Sequence, residues 1–252
     1  MLLALIFNCS ESEIVNDTRS RTYADIQNDF NKLTFSTGIN DVTLMGFDNA
    51  VWQFRVIMPD VNGANNNRRP LIMTLHDTSG GAVNAHENTA CYAEPGFAAL
   101  DAIIISPNNS GLQWVTPYNQ RQILALADLA SAYLPVDTNK IVVTGYGDGG
   151  NGAWFYSENY AHIFSAGIPM ASGYGSYNSD DTARVVPTLT YAIHGELDDT
   201  FPLEDAQIWV TATSTSGSNT TLVIAAGLTH TEPCNYTSYL QDAAVWLTDA
   251  IW

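Results

Sequence analysis

Hydrophobic positions along this chain gather into short continuous runs separated by polar stretches. "PLIMTLH" (70–76), "DAIIISP" (101–107) and "KIVVTG" (140–145) are apolar without alternation, the pattern of strands covered on both faces in a mostly parallel sheet. Ahead of them, "AVWQFRVIMP" (50–59) alternates and ends in proline, which predicts an antiparallel edge strand, and "VNGANNNRRP" reads as a surface turn. Apolar residues at 123, 127, 130 and 134 mark one face of a helix that Pro135 stops. Further strands are expected at "FSAGIPM", "TLTYAIHG" and "TLVIAAG", with helices over 151–160, from Leu203 onward, and at the end of the chain. Strands alternating with helices through one chain predict an α/β fold with a doubly wound, mostly parallel sheet, whose ligand sites lie at the carboxyl ends of the strands.

Residues 10–40 are rich in asparagine and poor in apolar residues, and read as a tether with a short amphipathic segment. Residues 1–22 are therefore assigned to a signal-like segment and tether, and 23–252 to one α/β domain. The start, "MLLALIFNCSESE", has an apolar run from Leu2 to Phe7 followed by Cys9, similar to the end of a lipoprotein signal with Cys9 as the lipid anchor. It departs from that pattern by lacking a basic segment and by having Asn8 before the cysteine, so an apolar tail of no consequence is the alternative. No other stretch is apolar over about 18 residues, so no membrane span is expected.

The formal charge of −17, with Lys32 and Lys140 as the only lysines, argues against nucleic acid or an anionic lipid surface as a partner. Charged residues are 14% of the chain, so the polar surface rests on Asn, Thr, Ser and Gln, which suits an exported protein: secreted, periplasmic or at the cell surface. With Cys9 set aside, Cys91 and Cys234 form an even pair, expected to be a disulfide in an exported chain and two buried thiols otherwise.

Three segments at strand ends carry chemistry. "VVTGYGDGGNGAW" (142–154) follows a buried strand and opens a helix; "HGELDDTFP" (194–202) and "GLTHTEP" (227–233) follow later strands. This is the order of nucleophile, acid and histidine in serine hydrolases of the α/β type. From about Val42 to Trp252 the chain resembles the secreted esterases of the α/β-hydrolase superfamily, the poly(3-hydroxybutyrate) depolymerase-like, feruloyl esterase-like and acetylxylan esterase-like enzymes. Their elbow G-x-S-x-G-G matches Gly145, Gly149 and Gly150, with Gly147 in the serine position and Asp148 after it. Their acid motif H-G-x-x-D-x-x-x-P matches His194, Gly195, Asp198 and Pro202, and their histidine matches His230.

The resemblance implies a carboxylic ester hydrolase site at Gly147, Asp198 and His230, acting on a small-molecule or polymeric ester. It implies an oxyanion hole from the backbone N–H groups of Thr78 and Asp148, although Asp77 replaces the glycine of the family's L-H-G loop. Trp114 falls where relatives place an aromatic near the acyl pocket, with a half-buried loop anchor as the alternative. His76 and His194 read as structural histidines at strand ends. No Cys/His cluster has metal-ligand spacing, no organic cofactor is implied, and a monomer is expected.

Gly147 offers no hydroxyl for His230 to deprotonate, so no acyl-enzyme can form by the family's route. Asp148 as nucleophile would shift the register by one and waste Gly145. Two readings remain: an esterase whose serine was replaced, for which Gly147→Ser should restore hydrolysis, and a natural non-catalytic relative that binds an ester or glycan ligand at the cell surface. The intact acid and histidine motifs favour the first.

Overall fold

The computed structural model describes residues 20–60 and 68–252. The proposed anchor Cys9, its apolar run and residues 61–67 of the turn lie outside the described residues. Eight strands form one sheet: β1 (Gly38–Met45), β2 (Val51–Met58), β3 (Arg69–Leu75), β4 (Ile103–Pro107), β5 (Val136–Tyr146), β6 (Ala166–Met170), β7 (Leu189–Gly195) and β8 (Thr220–Ala225). Their spatial order is β1-β2-β4-β3-β5-β6-β7-β8, antiparallel from β1 to β4 and parallel from there on. Among the described residues six α-helices accompany them: α1 (Tyr23–Phe30), α2 (Ala90–Gly96), α3 (Pro117–Tyr133), α4 (Asp148–Asn159), α5 (Leu203–Thr215) and α6 (Thr237–Trp246). None of the described helices is long and apolar enough to cross a membrane.

The continuous apolar runs divide between two cores because successive strand residues point to opposite faces. Along β3, Leu71, Met73 and Leu75 enter the core shared with Ile26 and Phe30 of α1, Ile123 and Leu126 of α3 and Tyr156 of α4. Ile72 enters the opposite core with Tyr92 of α2 and Leu240 of α6. Burial on both faces is what removed the alternation from the sequence.

One expectation is corrected. The segment 50–59 is not an edge strand, because β1 pairs along the whole of β2, from Gly38 opposite Met58 to Met45 opposite Val51. Proline stands just beyond β2, where it costs no ladder hydrogen bond. The start of β1, Gly38 to Asn40, falls in the stretch that reads as tether because Gly and Asn are poor strand formers.

Candidate active site

The glycine-rich turn is a tight strand-to-helix elbow: β5 ends at Tyr146, α4 begins at Asp148, and Gly147 between them has φ 58° and ψ −118°. Side chains rarely adopt that conformation, and glycine enters it freely. At Gly149 the backbone passes so close to the Leu75 carbonyl that any Cβ would overlap it. The motif glycines thus seat the first turn of α4 against β3.

His230 and Asp198 meet at this elbow although they are 32 residues apart. His230 Nδ1 lies 2.9 Å from Asp198 Oδ2. The Asp198 side chain is fully buried, and its Oδ1 accepts from the backbone N–H of Thr200 at 3.0 Å and of Phe201 at 2.8 Å. Both oxygens of that carboxylate are therefore engaged, one with the imidazole and one with its own loop. The His230 ring lies between Tyr146 and Phe201, with centroids at 5.5 and 5.2 Å, and the Tyr146 hydroxyl donates to the His230 carbonyl at 2.7 Å.

The residue that sequence reasoning passed over is Asp77. A Cβ built on Gly147 would overlap the Asp77 carboxylate, with Cγ and both oxygens within 2.9 Å of it. Asp77 Oδ1 accepts from the Asp148 N–H at 2.8 Å, and the Thr78 N–H also donates to the carboxylate. Asp77 Oδ2 lies 3.8 Å from His230 Nε2. The two backbone donors assigned to an oxyanion hole, Thr78 and Asp148, are thus engaged by a carboxylate of the chain itself, in the space where a side chain at 147 would stand. The signal in the sequence was the pairing of two departures: aspartate where the loop usually has glycine, and glycine where the elbow usually has serine.

The charges follow from these contacts. The neighbouring Asp77 carboxylate acts first on His230, against burial and with help from Asp198, and its pKa is pushed up to about 9. Burial alone would raise the Asp77 carboxyl, but His230 and the N–H groups of Asp148 and Thr78 outweigh it and hold it below the ordinary value. Burial, and then the charge of Asp77, raise Asp148. The raised His230 and the lowered Asp77 together favour an imidazolium facing the Asp77 carboxylate at neutral pH.

His76 and His194 take the structural places expected of them. His76 is buried, with Nδ1 2.6 Å from the Asp77 carbonyl and Nε2 accepting from the Asn109 N–H at 3.2 Å. Burial lowers its pKa to about 4, so it is neutral, and it fixes the backbone that carries Asp77. His194 Nε2 lies 2.7 Å from the Phe201 carbonyl. Trp114 corrects an expectation: it is completely buried, its Nε1 donates to the His76 carbonyl at 2.9 Å, and it does not line the cavity at the site. A large indole on the loop after β4 gains more by filling the core beneath the elbow than by facing ligand.

That cavity, of about 460 Å³, opens beside the elbow and is walled by Asp77, His230, Tyr92, Tyr146 and both cysteines of a Cys91–Cys234 disulfide. The expected bridge is present and ties α2 to the segment between His230 and α6. Elsewhere, ligand atoms of Asp41, His86 and Glu87 lie within 4.8 Å of one another. Arg55 already holds Asp41 through two hydrogen bonds at 2.7 and 2.9 Å and approaches Glu87 at 3.8 Å, which gives this cluster a cation of its own.

No sequence-family profile matches the chain, and no curated protein matches it by sequence. Solved structures do match in shape. A thermostable esterase superposes with a TM-score of 0.69 at 17% identity, over 84% of this chain and 62% of the other, so this chain spans less than two thirds of that esterase. S-formylglutathione hydrolase from Staphylococcus aureus gives 0.66 at 11% identity, over 85% and 100%. Esterase 2 from Thermogutta terrifontis, phosphorylated by paraoxon, gives 0.64 at 16% identity, over 84% and 94%. With its eight-stranded, mostly parallel sheet covered by helices on both faces, this chain has the α/β-hydrolase fold shared by these esterases and serine hydrolases.

Proposed function

We propose that this protein is an exported α/β-hydrolase of the carboxylesterase type whose catalytic triad has lost its nucleophile, with Gly147, Asp198 and His230 at the three triad positions. Ester hydrolysis through an acyl-enzyme is not its activity, since loss of a triad serine lowers turnover about a million-fold. The observation that carries this reading is the Asp77 carboxylate packed against Gly147, where it takes both the room of a serine side chain and the oxyanion donors. Replacement of a serine alone would not account for it. Aspartate at 77 and glycine at 147 fit as a pair, which favours a natural departure from ester hydrolysis over a single replaced residue.

The disulfide supports export, and residues 1–22 are proposed as signal-like segment and tether, with Cys9 as the candidate anchor. The domain is proposed to act as a monomer on a small or polymeric ligand.

Hydrolysis of p-nitrophenyl butyrate tests the reading. The protein as written should not exceed the buffer rate. Gly147→Ser alone should stay low, because the introduced hydroxymethyl group and the Asp77 carboxylate compete for one volume, which revises the expectation that serine by itself restores activity. The double variant Asp77→Gly, Gly147→Ser should hydrolyse the ester and be labelled by a fluorophosphonate on residue 147. A folded double variant without turnover would reject the esterase ancestry of the site.

A further inference from the structure

We propose that Asp77 is itself the nucleophile of this site and that it accepts an alkyl group rather than an acyl group, from a primary alkyl electrophile such as an alkyl halide. The inference rests on the reading that Gly147 leaves the triad without a hydroxyl. Carboxylates are competent nucleophiles when they are ionised, positioned and backed by a base for the second step. Among the described residues that wall the 460 Å³ cavity, Asp77 is the one carboxylate, and its side chain is 41% exposed. The Asp198 side chain has no exposed surface and spends its oxygens on His230, Thr200 and Phe201.

The two oxygens of Asp77 have different partners. Oδ1 is held by the Asp148 N–H at 2.8 Å. Oδ2 stands 3.8 Å from His230 Nε2, beyond the ~3.2 Å limit of a good hydrogen bond, so the imidazole does not tie it up. That separation decides the substrate class. Attack on an ester carbonyl needs free backbone donors for the substrate's developing oxyanion, and here the Asp77 carboxylate has taken them. Displacement at a saturated carbon develops no oxyanion on the substrate, because the negative charge departs with the leaving group. The apolar part of the wall, made by Tyr92, Tyr146 and the disulfide, suits an alkyl chain.

The reaction balances with water as co-substrate. Oδ2 forms a bond to the substrate carbon while the carbon–halogen bond breaks, and the halide leaves with the bonding pair. Esterified Asp77 is neutral, so His230 loses the neighbour that most favours its proton and releases that proton to solvent. Neutral His230, oriented by Asp198, then takes a proton from a water that attacks Asp77 Cγ. The charge of the tetrahedral intermediate falls on Oδ1, already at the N–H group of Asp148. Breaking the bond from Cγ to the alkyl-bearing oxygen releases the alcohol, protonated by His230; the proton left on the new carboxyl group then passes to the neutral His230, which regenerates the carboxylate, with one oxygen from water, and the imidazolium. The sum is alkyl halide and water to alcohol, proton and halide.

The test uses the full chain with 1-bromobutane in heavy-oxygen water, reading butanol by gas chromatography and the peptide containing Asp77 by mass spectrometry. The expected result is butanol release with heavy oxygen incorporated at Asp77. His230→Gln should slow butanol release by about 100-fold or more and accumulate a butyl ester on Asp77, since general-base help is worth at least that much. Asp77→Asn, verified as folded by circular dichroism, should release none. Butanol no higher than from Asp77→Asn, or heavy oxygen and butyl adducts confined to other residues, would overturn the proposal. The p-nitrophenyl ester assay of the double variant has its own outcome, so the esterase-type reading can stand or fall separately.

Discussion

Asp77 and Gly147 occupy complementary halves of one small volume: the carboxylate of the first lies where a side chain on the second would have to go. The relationship is reciprocal and measurable by a double-mutant cycle. Gly147→Ala should destabilise the fold through its left-handed backbone by about 1–3 kcal/mol and further through collision with Asp77. In an Asp77→Gly background the collision is gone and the backbone cost alone should remain. Urea denaturation of the four proteins reads the difference.

The charge arrangement predicts a specific pH response. The folded pKa of His230, about 9, lies above its ordinary 6.5, so the stability it contributes is complete below 6.5 and is lost as pH rises through 9. Asp77 works in the other direction: its depressed pKa contributes stability that disappears only on strong acidification. NMR titration of the imidazole should therefore place His230 near 9. Asp77→Asn should bring it well down toward the ordinary value, with Asp198 retaining part of the shift.

Trp114 should behave as a core residue. Trp114→Ala removes an indole with no exposed surface and the hydrogen bond to the His76 carbonyl, and should cost about 3–5 kcal/mol of stability. Trp114→Phe should cost less and leave ligand selectivity unchanged. Thermal melts beside a ligand panel would separate this from a substrate-binding role, in which selectivity would move first.

The disulfide joins residues 143 apart in sequence. Replacing both cysteines by serine should lower stability by about 2–5 kcal/mol, mostly by releasing the unfolded chain. Guanidinium unfolding of the two proteins under oxidising conditions measures it, and reductant should bring the native chain to the level of the variant.

Much of the fold was legible because its strands are buried on both faces. Runs such as "IVVTG" and "AIIIS" admit few other readings once helices alternate with them. β1 was not, since Gly38, Asn40 and Asp41 carry no strand signal and the pairing with β2 supplies what propensity does not. The places of Asp198 and His230 were legible from motif order. Asp77 was visible only as a mismatch in a loop, because nothing local in "LHDTS" tells that its side chain reaches across to residue 147. That contact depends on β3 and β5 lying side by side in register, with Leu75 opposite Gly145, which is tertiary information.

The Cys91–Cys234 bridge is part of the wall around Asp77 and His230. A glutathione-rich compartment would open that wall without touching a single charged group, leaving α2 and α6 joined by packing and by the hydrogen bonds that Thr237 and Gln241 donate to the carbonyls of Cys91 and Pro95. Redox surroundings and the shape of the cavity are therefore one question: the same bridge that makes the folded chain more durable also gives the cavity beside Asp77 a fixed outline.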